Sequence, residues 1–117
     1  MNTTSKATES FSRKPDPRLL DELVKRTVEA VHPLRIILFG SAARDAMGPD
    51  SDLDLLVADG VHRRRTAQTI YRSLRGLCLA KDVVVVTESD ILEYRDNPSL
   101  VINPALRYGK ELYNAAR

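Results

Sequence analysis

Apolar residues recur at helical spacing in two long stretches of the chain. The first stretch follows Asp16 and Pro17, which suit the cap and the first position of a helix, and it ends at Pro33. The second stretch covers residues 62–79, where apolar residues at i, i+3, i+4 and i+7 form one stripe. The pattern predicts two amphipathic helices whose apolar sides pack against a sheet.

Three short runs rich in β-branched residues predict that sheet. Residues 34–39 are continuously apolar, which is typical of a strand buried on both faces, and residues 52–57 and 82–86 form two further strands. The segment between the first two strands is short, and its residues 41–47 can make two helical turns, so we expect these strands to be antiparallel. The third strand follows a long helix, which is the usual crossover to a parallel neighbour.

The last third of the chain has weaker signals. Thr87 can cap a helix over residues 88–95, prolines break residues 97–109 into short helical turns, and residues 110–113 can form an edge strand. Taken together, the elements predict an α/β fold class with a mixed sheet of three or four strands and flanking helices.

Length and composition limit the possible classes of protein. At 117 residues, the chain can build a single hydrophobic core. Residues 1–15 are polar and have no apolar stretch of the kind found in secretory signals, so we expect a disordered tail before one domain over residues 16–117. The longest apolar runs are too short to span a bilayer, and the lone Cys78 suits a reducing compartment, which predicts a cytoplasmic protein without a membrane partner.

Charge alone points to no nucleic-acid partner. The chain has 18 basic and 16 acidic side chains, a formal net charge of +2. Because no global positive field results, direct binding of nucleic acid is not expected. The basic run at residues 62–65 is interpreted as a solvated face, although cations at a helix N-terminus are mildly unfavourable and hint at an external anionic partner.

Three carboxylates are predicted to meet at one edge of the sheet. Asp52 and Asp54 are two residues apart on a strand, so they share one face while Leu53 points to the other. Asp82 begins the parallel third strand and therefore lies at the same edge. Uncompensated carboxylates repel one another, and hard oxygen ligands select Mg²⁺ or Mn²⁺. The pattern predicts a divalent metal site formed by Asp52, Asp54 and Asp82.

The turn after the first strand suits phosphate. Gly40 lets a phosphate approach the backbone, and the Ser41 hydroxyl can bond a phosphate oxygen while also capping the helical turns that follow. A nucleoside triphosphate would complete such a metal site, since Mg²⁺ in proteins is usually held by carboxylates together with substrate phosphates.

The order Gly40-Ser41, ten residues, Asp52-Leu53-Asp54 and then Asp82 on a valine-rich strand resembles the nucleotidyltransferase superfamily of the DNA polymerase beta type. The resemblance covers roughly residues 18–114 and is closest to the minimal nucleotidyltransferase, or MNT-type antitoxin, branch. One position departs from the branch pattern: Asp45 stands where the branch has glycine, and its charge beside Arg44 could weaken triphosphate binding.

The resemblance implies a nucleotidyltransferase-like fold and a role for each matching residue. Asp52 and Asp54 would hold two ions, and Asp82 would bind one of them and help remove a proton from an acceptor hydroxyl. Gly40, Ser41 and Arg44 would bind the nucleotide. The implied activity is transfer of AMP from ATP to a hydroxyl of a HEPN-type toxin, for which the chain would be the antitoxin.

Other functions remain compatible with the same residues. The chain could be a catalytically weak or silent antitoxin that inhibits its partner by binding, with Asp45 impairing nucleotide use. It could transfer a nucleotide to a small molecule such as an antibiotic, although one small domain lacks a second substrate pocket unless a homo-oligomer builds it. As a purely structural alternative, Asp52 and Asp54 could form a solvated ion network with Arg44 and Lys81.

Overall fold

The computed structural model describes residues 14–47, 52–59, 63–77 and 81–116. Most of the tail predicted for residues 1–15 lies outside the described residues, as do His62 and Cys78. The elements in chain order are α1 (Pro17–Val31), β1 (Arg35–Phe39), β2 (Leu53–Asp59), α2 (Arg63–Ser73), β3 (Lys81–Thr87), α3 (Glu88–Tyr94), α4 (Ile102–Tyr108) and β4 (Lys110–Asn114).

The four strands form one mixed sheet in the order β3-β2-β1-β4. Strand β1 is antiparallel to both β2 and β4, and β2 is parallel to β3. The predicted strand directions and the predicted α/β fold class are confirmed. β3 and β4 are the edge strands, so the strand that carries Asp82 is open on one side.

Strands β1 and β2 carry apolar side chains on both faces of the sheet, and helices cover both faces. Helices α1 and α2 pack on one face, and α3 and α4 pack on the other. The first core contains Leu23, Ile36, Leu38, Leu55, Val57, Ile70 and Leu74, and the second contains Ile37, Leu56, Ala58, Val86, Ile91, Ile102 and Ala105.

The helix ends follow the local sequence. Asp16 Oδ1 accepts a hydrogen bond from the Arg18 amide at 2.9 Å, with Pro17 at the first helical position. Thr87 and Asp90 form a capping box at the start of α3, in which each side chain accepts from the other residue's amide. Pro104 does not break α4, because it lies in the first turn, where its missing amide is not needed.

Two segments differ from the sequence prediction. Residues 41–47 do not form helical turns of an α-helix; they form hydrogen-bonded turns in which Asp45 is left-handed, with φ of 54°. Helix α2 ends at Ser73, before the predicted residue 79, and a turn follows. There the Arg26 guanidinium of α1 donates to the Arg75 carbonyl at 2.9 Å and so satisfies a carbonyl beyond the end of α2.

Within the described ranges, every helix is too short or too polar to cross a membrane.

Candidate active site

Asp54 and Asp82 are paired residues of neighbouring parallel strands. Asp54 is the second residue of β2 and lies opposite Asp82 on β3 and opposite Phe39 on β1. Side chains of paired residues point to the same face of a sheet, so the two carboxylates are neighbours. Their face is the one that α3 and α4 cover further along, since Leu56 and Val86 of the same strands belong to that core.

Asp52 joins this pair from just before β2, where it is exposed. Burial, followed by the charges of Asp82 and Asp52, raises the pKa of the Asp54 carboxyl above its ordinary value. Each of the other two carboxylates therefore makes the Asp54 charge less favourable. We call Asp52, Asp54 and Asp82 the carboxylate cluster.

No described cationic side chain neutralises the carboxylate cluster. In the part of the chain that the structure describes, none of its three members forms an ion pair with Arg44 or with another basic residue. An ion network between these aspartates and Arg44 is therefore not formed. Carboxylates that repel one another at a partly exposed edge are a donor set that a hard divalent cation would stabilise.

The arrangement is looser than a formed metal site. Across residues 14–47, 52–59, 63–77 and 81–116, no three His, Cys, Asp or Glu side chains are grouped closely enough to hold one ion. The carboxylate oxygens of the cluster suit Mg²⁺ or Mn²⁺ chemically. The described side chains are not close enough together to bind such an ion by themselves. Substrate phosphates supply part of the ligand set in most Mg²⁺ sites, so an incomplete set of protein ligands is compatible with such an ion.

Gly40 lies directly against the cluster. Its φ of 73° is left-handed, and a side-chain carbon at this position would collide with Oδ2 of Asp54. Any other residue would be strained by its backbone and would displace the carboxylate. The glycine predicted for phosphate approach therefore also has a structural reason, because it leaves room for Asp54.

The turn that follows Gly40 differs from the expected helix start. The Ser41 carbonyl accepts hydrogen bonds from the Arg44 amide at 3.2 Å and the Ala46 amide at 2.8 Å. Ser41 therefore closes a turn and does not cap an α-helix, which corrects that part of the sequence interpretation. Asp45 adopts a left-handed conformation that glycine takes more readily, and its Oδ1 accepts from Lys110 Nζ of β4 at 3.3 Å.

A cleft of about 190 Å³ adjoins the carboxylate cluster at Gly40. It is lined by Phe39, Gly40, Arg44, Val101, Pro104 and Tyr108. Of the residues predicted to bind a nucleotide, Gly40 and Arg44 line the cleft, and Ser41 is not among its lining residues. A larger cavity of about 270 Å³ lies at the other end of β1, against Leu34 and Arg35, and contains no member of the cluster.

Sequence reasoning missed the wall of the cleft that α4 provides. Val101, Pro104 and Tyr108 come from a segment interpreted only as short helical turns, yet they face β1 across the cleft. Tyr108 is 65% exposed, and the Arg107 guanidinium lies 5.6 Å from the centre of its ring. In the sequence, the available signal for this wall was Tyr108, a large aromatic residue directly before Gly109, which ends the helix.

Comparison with known proteins bears on the family and the fold of the chain. A family model described as "Polymerase beta, Nucleotidyltransferase" matches residues 21–117. A search among curated proteins found no sequence match. Among solved structures, the chain is similar to the crystal structure of a "putative nucleotidyltransferase" from Sulfolobus solfataricus, with a TM-score of 0.59 and 18% identity over 86% of this chain and 81% of that one. At that identity, the structural likeness supports the fold alone.

Proposed function

This chain belongs to the polymerase beta nucleotidyltransferase family, and we propose that it transfers a nucleotidyl group, AMP from ATP, to a hydroxyl on a partner protein. The observation that carries the proposal is the register of Asp54 opposite Asp82, beside a cleft that begins at Gly40. Nucleotidyltransferase domains generally use a nucleoside triphosphate and a divalent metal, and the carboxylate cluster supplies oxygen ligands for such a metal.

The carboxylates of the proposed site bind the metal ions, and Asp82 has a second task in proton transfer. Asp52, Asp54 and Asp82 would hold two Mg²⁺ or Mn²⁺ ions, which when bound would offset the charge of the triphosphate and of the departing pyrophosphate. Asp82, exposed on the edge strand, accepts the proton of the acceptor hydroxyl. As the bond from the acceptor oxygen to the α-phosphorus forms, the bond from the α-phosphorus to the bridging oxygen breaks and pyrophosphate leaves.

The cleft is suited to the donor nucleotide. Gly40 brings backbone close to the cluster without a side chain, and the exposed Arg44 carries a guanidinium that can pair with phosphate oxygens. Phe39 and Tyr108 both line the same space with aromatic side chains. We therefore place the phosphates towards Gly40 and Arg44 and the nucleoside against the aromatic rings.

The surface beside the cleft supports a protein acceptor. Val101 and Tyr108, which line the cleft, are 37% and 65% exposed, and Leu100 next to Val101 is 39% exposed. Exposed apolar residues grouped around a site are typical of protein interaction surfaces. Together with the resemblance to MNT-type antitoxins, they support a HEPN-type toxin as the partner and an antitoxin role for this chain.

A second candidate function is inhibition by binding without catalysis. It is favoured by one observation, that the described residues include no group of three side chains placed to hold an ion. The apolar surface next to the cleft would then cover a site on the toxin, and the carboxylate cluster would be dispensable.

One labelling experiment separates the two functions. The chain is incubated with Mg²⁺, α-labelled ATP and the protein encoded beside it, and label on that protein is followed in wild type, Asp54→Asn, Asp82→Asn and the control Asp21→Asn. Asp21 is an exposed carboxylate of α1, remote from the cluster in sequence and on the other helical layer.

The enzyme is supported if the partner is labelled by wild type and by the Asp21→Asn control but not by the cluster variants. Inhibition of the partner by all four proteins without any label supports the non-catalytic function. Label on an aminoglycoside supplied in place of the protein would instead identify a small-molecule acceptor.

A further inference from the structure

One exposed face of α2 carries a row of arginines. Arg64, Arg65 and Arg72 lie on the helix and Arg75 lies in the turn after it, and all four are exposed. At 3.6 residues per turn they fall within about 120° of the helix surface and extend along roughly 15 Å. Gln68 and Tyr71 are exposed on the same face. We call these six residues the arginine face.

Among the described segments, these arginines have no side-chain partner: none of the four forms a side-chain hydrogen bond or ion pair there. The whole stretch of residues 63–77 contains no acidic residue. Asp59, which precedes α2, accepts a hydrogen bond from the buried Thr66 on the side of the helix that faces the sheet.

Three other basic residues of the described segments are paired with carboxylates. Arg26 pairs with Glu22 at 2.8 Å, Arg35 with Glu111 at 3.2 Å, and Lys110 with Asp45 at 3.3 Å. The four arginines of the arginine face differ from these three residues in that they have no carboxylate partner among the described residues. Arg64 and Arg65 also stand in the first turn of α2, where the helix dipole disfavours positive charge, so helix stability does not account for them.

The chemistry of the face favours phosphates over a folded protein. Protein interfaces have an apolar centre that is depleted in charge, and the exposed large apolar residues include only Tyr71 from α2. Guanidinium groups bind phosphate oxygens in a bidentate manner, and contacts to phosphates tolerate a surface without an apolar centre.

Tyr71 and Gln68 narrow the ligand further. The Tyr71 hydroxyl accepts a hydrogen bond from the Val83 amide at 2.9 Å, which holds the ring in place while 40% of the residue remains exposed. A fixed aromatic ring between cations is a platform on which an unpaired base stacks. The Gln68 amide can donate to, or accept from, a ribose 2′-hydroxyl, which DNA lacks.

We infer that the arginine face binds single-stranded RNA through its phosphates, independently of the nucleotidyl transfer proposed above. The face lies on the α1 and α2 side of the sheet, and the carboxylate cluster lies on the other. RNA bound there does not occupy the cleft.

The test is fluorescence anisotropy with a labelled 12-nucleotide RNA of mixed sequence, at several salt concentrations. Each phosphate contact contributes about 0.7 to the slope of log affinity against log salt for single strands. If all four arginines contact phosphates, we expect a slope of roughly 3, and Arg72→Gln with Arg75→Gln should halve it and weaken binding about 10-fold at low salt. The matched control, Lys25→Gln with Arg95→Gln, removes the same charge from exposed positions elsewhere.

Two variants at Tyr71 test the stacking. Tyr71→Leu should weaken RNA binding about 10-fold, whereas Tyr71→Phe, which keeps the ring but loses the bond from the Val83 amide, should weaken it less than Tyr71→Leu does. Thermal unfolding of each variant checks that a loss of binding does not reflect a loss of fold. Asp54→Asn should bind RNA normally, so failure of the transferase proposal leaves this one intact.

Several outcomes would overturn the inference. RNA binding that is undetectable in 50 mM salt would do so, as would an equal loss in the control variant. Equally tight binding of single-stranded DNA or of an RNA duplex would exclude the roles given to Gln68 and Tyr71. A poly-glutamate peptide that competes as strongly as RNA would show that the face recognises acidic protein segments instead.

Discussion

Replacing Asp54 by asparagine should abolish transfer and, at neutral pH, stabilise the fold. The Asp54 carboxylate forms no hydrogen bond or ion pair with a described residue, so its amide replacement breaks no side-chain contact of that kind. What the substitution removes is a partly buried charge that Asp82 and Asp52 repel. The free energy of unfolding should therefore rise although the activity is lost.

The magnitude follows from the strand pairing. Neighbouring strands lie about 4.8 Å apart, so the carboxylates of Asp54 and Asp82 are separated by roughly 5 Å. Coulomb's law gives about 1 kcal/mol for such a pair in bulk water and about 3 kcal/mol at an effective dielectric constant of 20. Because solvent screens this partly exposed edge, we expect about 1 kcal/mol, or roughly 5 °C in the unfolding midpoint of a domain this size.

The pH dependence gives the effect a sign that can be checked. Folding raises the pKa of Asp54, so the folded chain takes up this proton before the unfolded chain does. The loss of unfolding free energy caused by the Asp54 charge is present in full above the raised pKa, and it fades as the pH falls towards the ordinary pKa of 3.8. The stability gap between Asp54→Asn and wild type should therefore be largest near pH 7 and close on acidification.

Urea unfolding of wild type, Asp54→Asn and the control Asp21→Asn between pH 4 and pH 8, without divalent ions, measures this gap. A gap that persists unchanged at pH 4, or an Asp54→Asn variant less stable than wild type at pH 7, would refute the electrostatic account of the cluster.

Three further outcomes follow from contacts described above. Added Mg²⁺ at ten times its dissociation constant should stabilise wild type by about 1.4 kcal/mol in thermal unfolding, and Asp54→Asn much less; equal shifts would exclude the cluster as the site. Gly40→Ala and Gly76→Ala should each cost about 1 kcal/mol of unfolding free energy for their left-handed backbones, at φ of 73° and 90°. Gly40→Ala should lose further unfolding free energy and reduce transfer, because its added carbon collides with the Asp54 carboxylate, whereas an added carbon at Gly76 meets nothing within 4 Å. Equal losses of stability at both glycines would contradict the close approach of Gly40 to Asp54. Thr87→Ala should lower the urea midpoint by an amount equivalent to about 1 kcal/mol, while Thr87→Ser, which keeps the capping oxygen, should change it little.

Sequence periodicity was sufficient to predict the sheet and the faces of its residues. The alternation around Asp54 placed Leu53 and Leu55 in one core, and the helical crossover made β3 a parallel neighbour of β2, so Asp82 had to begin at the same edge. These inferences succeeded because strand alternation and crossover direction are imposed by backbone geometry.

The segments whose structure was predicted wrongly depend on contacts that the local sequence does not encode. Residues 41–47 have helix-forming alanines, yet the left-handed Asp45 and its bond to Lys110 on a distant strand belong to a turn. The cleft wall at Val101 and Tyr108 could not be predicted, because its position depends on how α4 packs on β1. Pro104 was misleading for a related reason, since a proline stops a helix only beyond the first turn.

The position of β3 at an edge of the sheet affects the order in which substrates can arrive. The cleft proposed for the donor lies across β1, whereas Asp82 lies on β3, which is an edge strand among the described residues. In the proposed mechanism, donor and acceptor would therefore approach the same phosphorus separately, and neither would have to leave before the other enters. Initial-rate plots should accordingly intersect, as they do for a ternary complex, without the parallel lines of a nucleotidylated enzyme intermediate.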